Sequence, residues 1–356
     1  MNTAFVHSDT YAQYDLGVSH PLQQGRLIDV KNRLDAYALG VDNLAMFSPI
    51  PCLESDLLAV HSRDYIEMVK LASRGFRGPE LTTFGLGRGD TPAFDGMWEN
   101  GILYCGGSKL AAQLVANQSY KVAVNLAGGL HHAHYGYASG FCILSDIAVA
   151  IRMLQSQGYP RVLYIDIDAH HGDGVEAFFR SDPSVTTVSF HESGAWLFPG
   201  TGDLADRGLG SASDSVWNVP FAPETAGDVW SPTVLGVVHH LIQSVQPDAV
   251  VLQCGADAHE LDPLTHLRVD DVYWLQTTES ILQMVVGLPT IVLGGGGYKR
   301  DVVVRLWTAL VLQTCGRLAD AMVLAIRAEG KKSSDAALGF NRDVLTYLAK
   351  IRGLVI

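Results

Sequence analysis

Five short apolar runs rich in β-branched residues recur along the chain, at 121–129 (KVAVNLAGG), 161–168 (RVLYIDID), 184–192 (SVTTVSFHE), 248–257 (DAVVLQCGAD) and 289–297 (PTIVLGGGG). Longer amphipathic stretches lie between and around them, at 99–117, 145–157, 174–180, 231–245 and 271–286. Short strands alternating with helices predict βαβ units and a mostly parallel sheet. The runs are apolar on both faces, as a sheet covered by helices on both sides requires. Helical pattern resumes at 301–328 and 341–351. No repeat, low-complexity tract or Pro/Ser-rich linker interrupts it. The expectation is an α/β fold in a single domain over residues 1–356, with a mostly parallel central sheet and helices on both faces.

The runs also end alike. Each gives way to polar residues or glycine: Asn125, Asp166 and Asp168, His191, Asp257, and the glycines at 294–297. Open parallel sheets carry their sites beyond the carboxyl ends of the strands. One shared site at that edge is therefore expected.

Composition narrows the function classes. With 48% hydrophobic residues and 36 glycines the chain can bury a large core, and 17% charged residues argues against disorder. A net charge of −12 speaks against nucleic acid as a partner, which would need a basic face. The five cysteines (Cys52, Cys105, Cys142, Cys254 and Cys315) form no CxxC pair. That pattern fits a reducing compartment and disfavours a disulfide framework or a thiolate zinc site. The first residues lack a basic segment followed by an apolar core, and no apolar run reaches the roughly 18 residues of a membrane span. A cytoplasmic protein without a membrane partner is expected.

The richest chemistry lies in YIDIDAHHGDG, residues 164–174. Extended chain alternates faces, so Asp166, Asp168 and His170 would share one. A carboxylate and an imidazole two apart at a strand tip suit a small divalent ion. Asp257 closes VVLQCGAD with the same punctuation. Asp168, His170 and Asp257 would give two carboxylates and one nitrogen, with a position left for water, as catalytic zinc requires. The competing reading makes the aspartates helix caps and the histidine part of their network.

Two further stretches add to this. In GGLHHAHYGYASGFC (128–142), His131 and His132 follow glycines at the end of a strand. Neutral imidazoles beside a metal can move a proton and orient water, with Asp166 and Asp173 available to fix their tautomers. The other tandem pair, His239 and His240, sits in an apolar helical stretch without carboxylates and reads as structural. In LGGGGYKR (293–300) the glycines permit close backbone approach. A phosphate cradle is one reading, though GK[ST] and GxGxxG are missing. A phenol, Tyr298, donating to an oxyanion is the other.

Taken in order, HHAHYGYASGFC, DIDAHHGDGVEAFF, HESGAWLFPGTGD, VVLQCGADAHELDPL and LGGGGY resemble the zinc-dependent histone deacetylases, and among them the bacterial acetoin-utilisation-type proteins. The resemblance runs from VSHPLQQGR (18–26) through VHSRDYI (60–66) and GLGRGDTPAFDGMWE (85–99) to about residue 310. DAHHGD is also similar to the arginase metal motif, so an arginase/deacetylase-like fold is implied. The resemblance further implies hydrolysis of an acetyl or other short acyl group from the ε-amine of lysine, in a protein, peptide or small molecule.

It makes Asp168, His170 and Asp257 zinc ligands, with ferrous iron possible from the same donors. His132 with Asp173 becomes the general base pair, His131 with Asp166 the second pair, and Tyr298 the carbonyl-polarising phenol. Gly140, Phe141 and Phe198 would line an acyl-lysine channel, with Leu264 at its mouth, Asp90 on the rim and Arg26 in an exit channel. Structural potassium is implied near Asp166, Asp168 and His170, with Ser189 and Phe190. A small-amine deacylase is the alternative, although acetylpolyamine amidohydrolases favour an acidic gatekeeper where Leu264 stands. A non-catalytic acyl-lysine binder would be expected to have lost Tyr298 or a metal ligand.

Overall fold

A computed structural model describes residues 2–37, 43–87, 89–325 and 331–354. Its centre is an eight-stranded sheet of order β2-β1-β3-β8-β7-β4-β5-β6, with every neighbouring pair parallel. The strands are β1 (Thr3–Val6), β2 (Leu44–Phe47), β3 (Val122–Asn125), β4 (Val162–Asp166), β5 (Val185–Glu192), β6 (Val216–Phe221), β7 (Ala249–Gln253) and β8 (Thr290–Leu293). The five apolar runs are β3, β4, β5, β7 and β8, and every residue of these strands is buried. Their uniform apolar character is the signature of a sheet covered on both faces.

The helices are α1 (Gly25–Asp35), α2 (Glu54–Leu57), α3 (Arg63–Ser73), α4 (Met97–Ala116), α5 (Asp146–Ser156), α6 (Asp173–Phe179), α7 (Gly227–Val245), α8 (Asp271–Met284), α9 (Arg300–Thr314), α10 (Leu318–Val323) and α11 (Asp335–Arg352). Crossovers through α4, α5 and α6 carry the chain one way along the sheet, and those through α1, α7 and α8 carry it the other way. Right-handed crossovers place these two sets on opposite faces. α9 packs against α1 and α8, and α11 covers the β6 edge.

Three strands escaped the pattern. β1 and β2 are only four residues long, and β6 (VWNVPF) contains an asparagine and Pro220. Pro220 is tolerated because β6 is an edge strand that lacks a second neighbour to receive its missing N–H. The helix expected over 301–328 is broken: α9 ends at Thr314 and Gly316 follows with φ +75°. α10 then starts at Leu318, and 326–328 lie outside the described residues. α7 begins earlier than expected and runs past Pro232.

The topology decides where chemistry collects. β3, β8, β7 and β4 are the four central strands, and their carboxyl ends lie side by side. Each is followed by one of the candidate stretches.

Candidate active site

β4 ends at Asp166, so strand alternation does not extend to His170 as expected. Two local turns replace it. Asp166 Oδ1 accepts the Asp168 N–H at 3.1 Å, and Asp168 Oδ1 accepts the His170 N–H at 3.0 Å. Asp257 arrives from the end of β7. Donor atoms of Asp168, His170 and Asp257 all lie within 4.8 Å of one another, and all three residues are buried. His170 Nδ1 stands 2.9 Å from Asp257 Oδ2 and 3.2 Å from Asp168 Oδ1.

The remaining carboxylate oxygens are held from outside. Asp168 Oδ2 accepts from Gln253 Nε2 (2.8 Å) and from the Gly296 N–H (2.7 Å). Asp257 Oδ1 accepts the Ala169 N–H at 2.8 Å. Asp168 Oδ1 and Asp257 Oδ2 are thus turned toward His170 Nδ1, the arrangement expected around a metal. Gly296 is required here: a Cβ at that position would lie 2.1 Å from Asp257 Oδ2. Burial, followed by the neighbouring Asp168, pushes the Asp257 carboxyl up to about 7. Two buried acids side by side call for positive charge, which a divalent ion would supply. The donor set fits such an ion.

His131 and His132 follow β3. His131 Nδ1 lies 2.8 Å from Asp166 Oδ2, which also accepts from the Tyr164 hydroxyl at 2.6 Å. His132 Nδ1 lies 2.6 Å from Asp173 Oδ1, at the first residue of α6. Each acid holds an Nδ1–H, so the Nε2 atoms face inward, 3.0 Å apart. That spacing fits one proton shared between them. Burial disfavours the His131 cation, but Asp166 and Asp168 outweigh it and raise its pKa to about 9. Burial, and then the adjacent His131, lower His132 to about 4. Burial would raise the Asp173 carboxyl, yet hydrogen bonds from His132 and His134 hold it well below the usual range.

A cavity of about 530 Å³ reaches His132, His170 and Tyr298. Asp90, Gly140, Phe141, Phe198 and Leu264 line it, with Leu16, His20 and Leu197 among the others. A Cβ on Gly140 would lie 2.4 Å from His132 Cδ2 and 2.8 Å from Phe198 Cε1. The Tyr298 ring stands edge-on to Phe141 and His170, at 5.7 and 6.2 Å.

Arg26 does not line the cavity. It lies buried behind the glycine run, donating to Gly297 O (2.8 Å) and Gly295 O (2.9 Å) over the Trp307 ring. Ser189 pairs in register with Asp166, and its Oγ lies 2.9 Å from His191 Nδ1. Phe190 is fully buried. His239 and His240 sit on α7, away from these groups, and His240 packs on Trp217.

Several participants were missed in the sequence. His134 shares Asp173 with His132, at 3.1 Å. It stood in the quoted HHAH. Tyr164 lies two residues before Asp166 on the same strand, where alternation would have placed it beside that acid. Gln253 is the one polar residue within the apolar β7 run. His20 donates from Nε2 to Asp90 O (3.2 Å), since Nδ1 accepts the Leu22 N–H, and its ring meets Phe141 edge-on. No pattern in the linear chain marks Asp262, whose carboxylate accepts two backbone N–H groups.

The histone deacetylase domain model matches residues 20–314. The chain is 38% identical over 323 residues to the acetoin utilization protein AcuC of Bacillus subtilis, covering 88% of this chain and 82% of that protein. It is 36% identical over 309 residues to the histone deacetylase clr6 of Schizosaccharomyces pombe, covering 86% and 75%. In fold it is similar to the crystal structure of a histone deacetylase homologue from Aquifex aeolicus, with a TM-score of 0.86 at 24% identity over 97% of this chain and 100% of that one. A histone deacetylase homologue complexed with SAHA matches equally well. The ordered motifs, the parallel sheet that gathers their ends, and a domain match over most of the length together show that this chain belongs to the histone deacetylase family.

Proposed function

We propose that this deacetylase-family domain is a metal-dependent amidohydrolase that removes an acetyl or other short acyl group from the ε-amine of lysine. One observation carries the reading. His132, His170 and Tyr298 line one cavity of about 530 Å³ whose walls include Gly140, Phe141 and Phe198. Such a channel fits an unbranched lysine stem with its amide at the inner end.

Asp168, His170 and Asp257 would hold the ion, zinc from the donor set, with ferrous iron the other candidate. When bound it supplies Lewis acidity to the acyl oxygen and to water. The protein's own groups do the rest. His132, oriented through Nδ1 by Asp173, takes a proton from water at Nε2. The hydroxide equivalent adds to the acyl carbon. The Tyr298 hydroxyl donates to the oxygen on which charge develops. Burial holds that phenol well above its ordinary pKa, so it stays a donor. The C–N bond then breaks, and the amine leaves with a proton returned by the histidine pair. His131, held through Nδ1 by Asp166, which Tyr164 also bonds, would act on His132 electrostatically from 3.0 Å away.

Asp90, exposed at the rim, would accept from the backbone of a peptide substrate, and Leu264 would flank the stem. Arg26 would serve an exit route behind the glycine run. Potassium would be held near Asp166, Asp168 and His170 with Ser189 and Phe190, as a structural ion.

Acylpolyamines are served less well. The mouth carries Leu264, Glu260 is paired with Lys331 at 3.0 Å, and the Asp262 carboxylate is taken up by two backbone amides. The deciding experiment reconstitutes metal-free protein with zinc or ferrous iron separately. Each form is then assayed on a panel of fluorogenic acyl-lysine peptides and acylated polyamines. Turnover of acyl-lysine above polyamine is expected. Absence of turnover on every amide with both metals would overturn the reading in favour of a non-catalytic acyl-lysine binder.

A further inference from the structure

Asp262 lies beyond β7, five residues after Asp257 in the chain, and is 8% exposed. Its own N–H donates to His259 O at 2.8 Å, which fixes the turn. The carboxylate then bonds one amide in its own loop and one at the end of the glycine run. Oδ2 accepts the Tyr298 N–H at 2.8 Å, and Oδ1 accepts the Leu264 N–H at 2.9 Å. Tyr298 and Leu264 both line the substrate cavity. One buried acid therefore ties together two residues of the cavity wall.

The tether at Tyr298 falls where the chain has least stiffness of its own. Four glycines precede the tyrosine, and Gly295 and Gly297 have φ of +142° and +136°. Glycine offers little intrinsic preference for one such conformation over others. Arg26 holds the carbonyls of Gly295 and Gly297 from behind. The Tyr298 N–H is the next fixed point, immediately before α9 begins at Arg300. Where that N–H is anchored decides where the ring and hydroxyl stand.

We propose that Asp262 is a positioning residue that sets the Tyr298 hydroxyl at its working distance and ties that setting to the Leu264 wall. The proposal rests on the deacylase reading for its consequence in turnover. Its chemistry requires an acid: a carboxylate accepts on both oxygens, whereas an amide accepts on one and turns an N–H₂ toward the other donor. Asp262→Asn keeps the size and removes one of the two tethers. Because a displacement of about 1 Å at a reacting group can cost a hundredfold in rate, the variant should lose roughly ten- to a hundredfold in kcat.

The test is a double-mutant cycle of Asp262→Asn with Tyr298→Phe. Two readouts are taken, kcat on an acyl-lysine peptide and the Kd of a hydroxamate with a lysine-length linker, with metal content measured for each protein. The expected result is a loss in both readouts for Asp262→Asn in the parent and less than a further twofold loss on top of Tyr298→Phe, at unchanged metal content. Losses that multiply, or an Asp262→Asn protein equal to the parent, would overturn the proposal. If Asp262→Asn does not fold, Asp262→Glu takes its place, since it keeps both acceptors and moves them by one methylene. A parent that turns over no amide would sink the deacylase reading, while the hydroxamate cycle would still decide the role of Asp262.

Discussion

The side-chain amide of Gln253 donates to Asp168 Oδ2 across 2.8 Å, and the Gly255 N–H holds the same amide from behind at Oε1, also at 2.8 Å. The last residue of β7 thus orients an acid that follows β4. Outer partners of this kind fix the ligand's rotamer, and a donor to a carboxylate keeps it ionised. Gln253→Leu is expected to weaken divalent-metal binding by about ten- to a hundredfold. At saturating metal its kcat should stay near that of the parent. Competition against a chelating dye, followed by assay at high metal, measures both quantities.

The cavity divides its residues into holders and reactors, and the two classes should separate on substitution. Asp257→Ala is expected to lose the metal. Tyr298→Phe and His132→Ala should retain it and lose turnover. Removing an oxyanion donor costs roughly a hundred- to a thousandfold in kcat. Elemental analysis beside steady-state kinetics on each variant distinguishes the outcomes. Full metal content in Asp257→Ala would break the assignment.

Two glycines at the site should fail in different ways when given a methyl group. In Gly296→Ala the new Cβ would lie 2.1 Å from Asp257 Oδ2 and 3.0 Å from Asp168 Oδ2, so metal content should fall. In Gly140→Ala the Cβ meets His132 Cδ2 at 2.4 Å and Phe198 at 2.8 Å, on a residue with φ +47°. There the metal should remain while turnover is lost and KM rises. Elemental analysis and a KM-against-kcat comparison report each.

Much of this was legible from residue order. The five buried strands announced themselves because full burial on both faces demands uninterrupted apolar residues. Their polar ends pointed to one edge, and Asp168, His170 and Asp257 do converge there. What stayed hidden was second-layer support. Gln253, His134 and Tyr164 act through partners that the linear chain holds far off or that look like ordinary strand residues. The turns that replace strand alternation after Asp166 depend on side chains bonding to nearby amides, which hydrophobic periodicity does not register. β6 was hidden by its asparagine and proline, whose cost vanishes at an edge.

His61 gives a pH-dependence independent of the metal centre. It is fully buried. Its Nδ1–H donates to His134 O at 3.0 Å, and Nε2 accepts the Ser145 N–H at 3.0 Å. The neutral ring satisfies both bonds, whereas a proton on Nε2 would oppose the Ser145 N–H. Burial lowers its pKa to about 4, below the 6.5 of an exposed histidine. Between those values the unfolded chain binds the proton and the folded protein does not. Stability from this residue is therefore fully present above pH 6.5 and lost as pH falls toward 4, by about 3 kcal/mol in all. His61→Gln should be less stable at pH 7 and show a flatter acid limb across that window. Denaturant unfolding at several pH values tests this, and an unchanged slope would refute it.

After β4 the chain runs outward through β5 and β6 and comes back as β7 to lie against β4 again. The two acids of the metal group stand at the two ends of that excursion. Its far bend includes Gly210, which has open space around it. Extra sequence grafted there lengthens the detour without moving its endpoints. A change of length at that bend therefore falls just before the amino end of β6, away from the carboxyl ends where the central strands keep the chemistry.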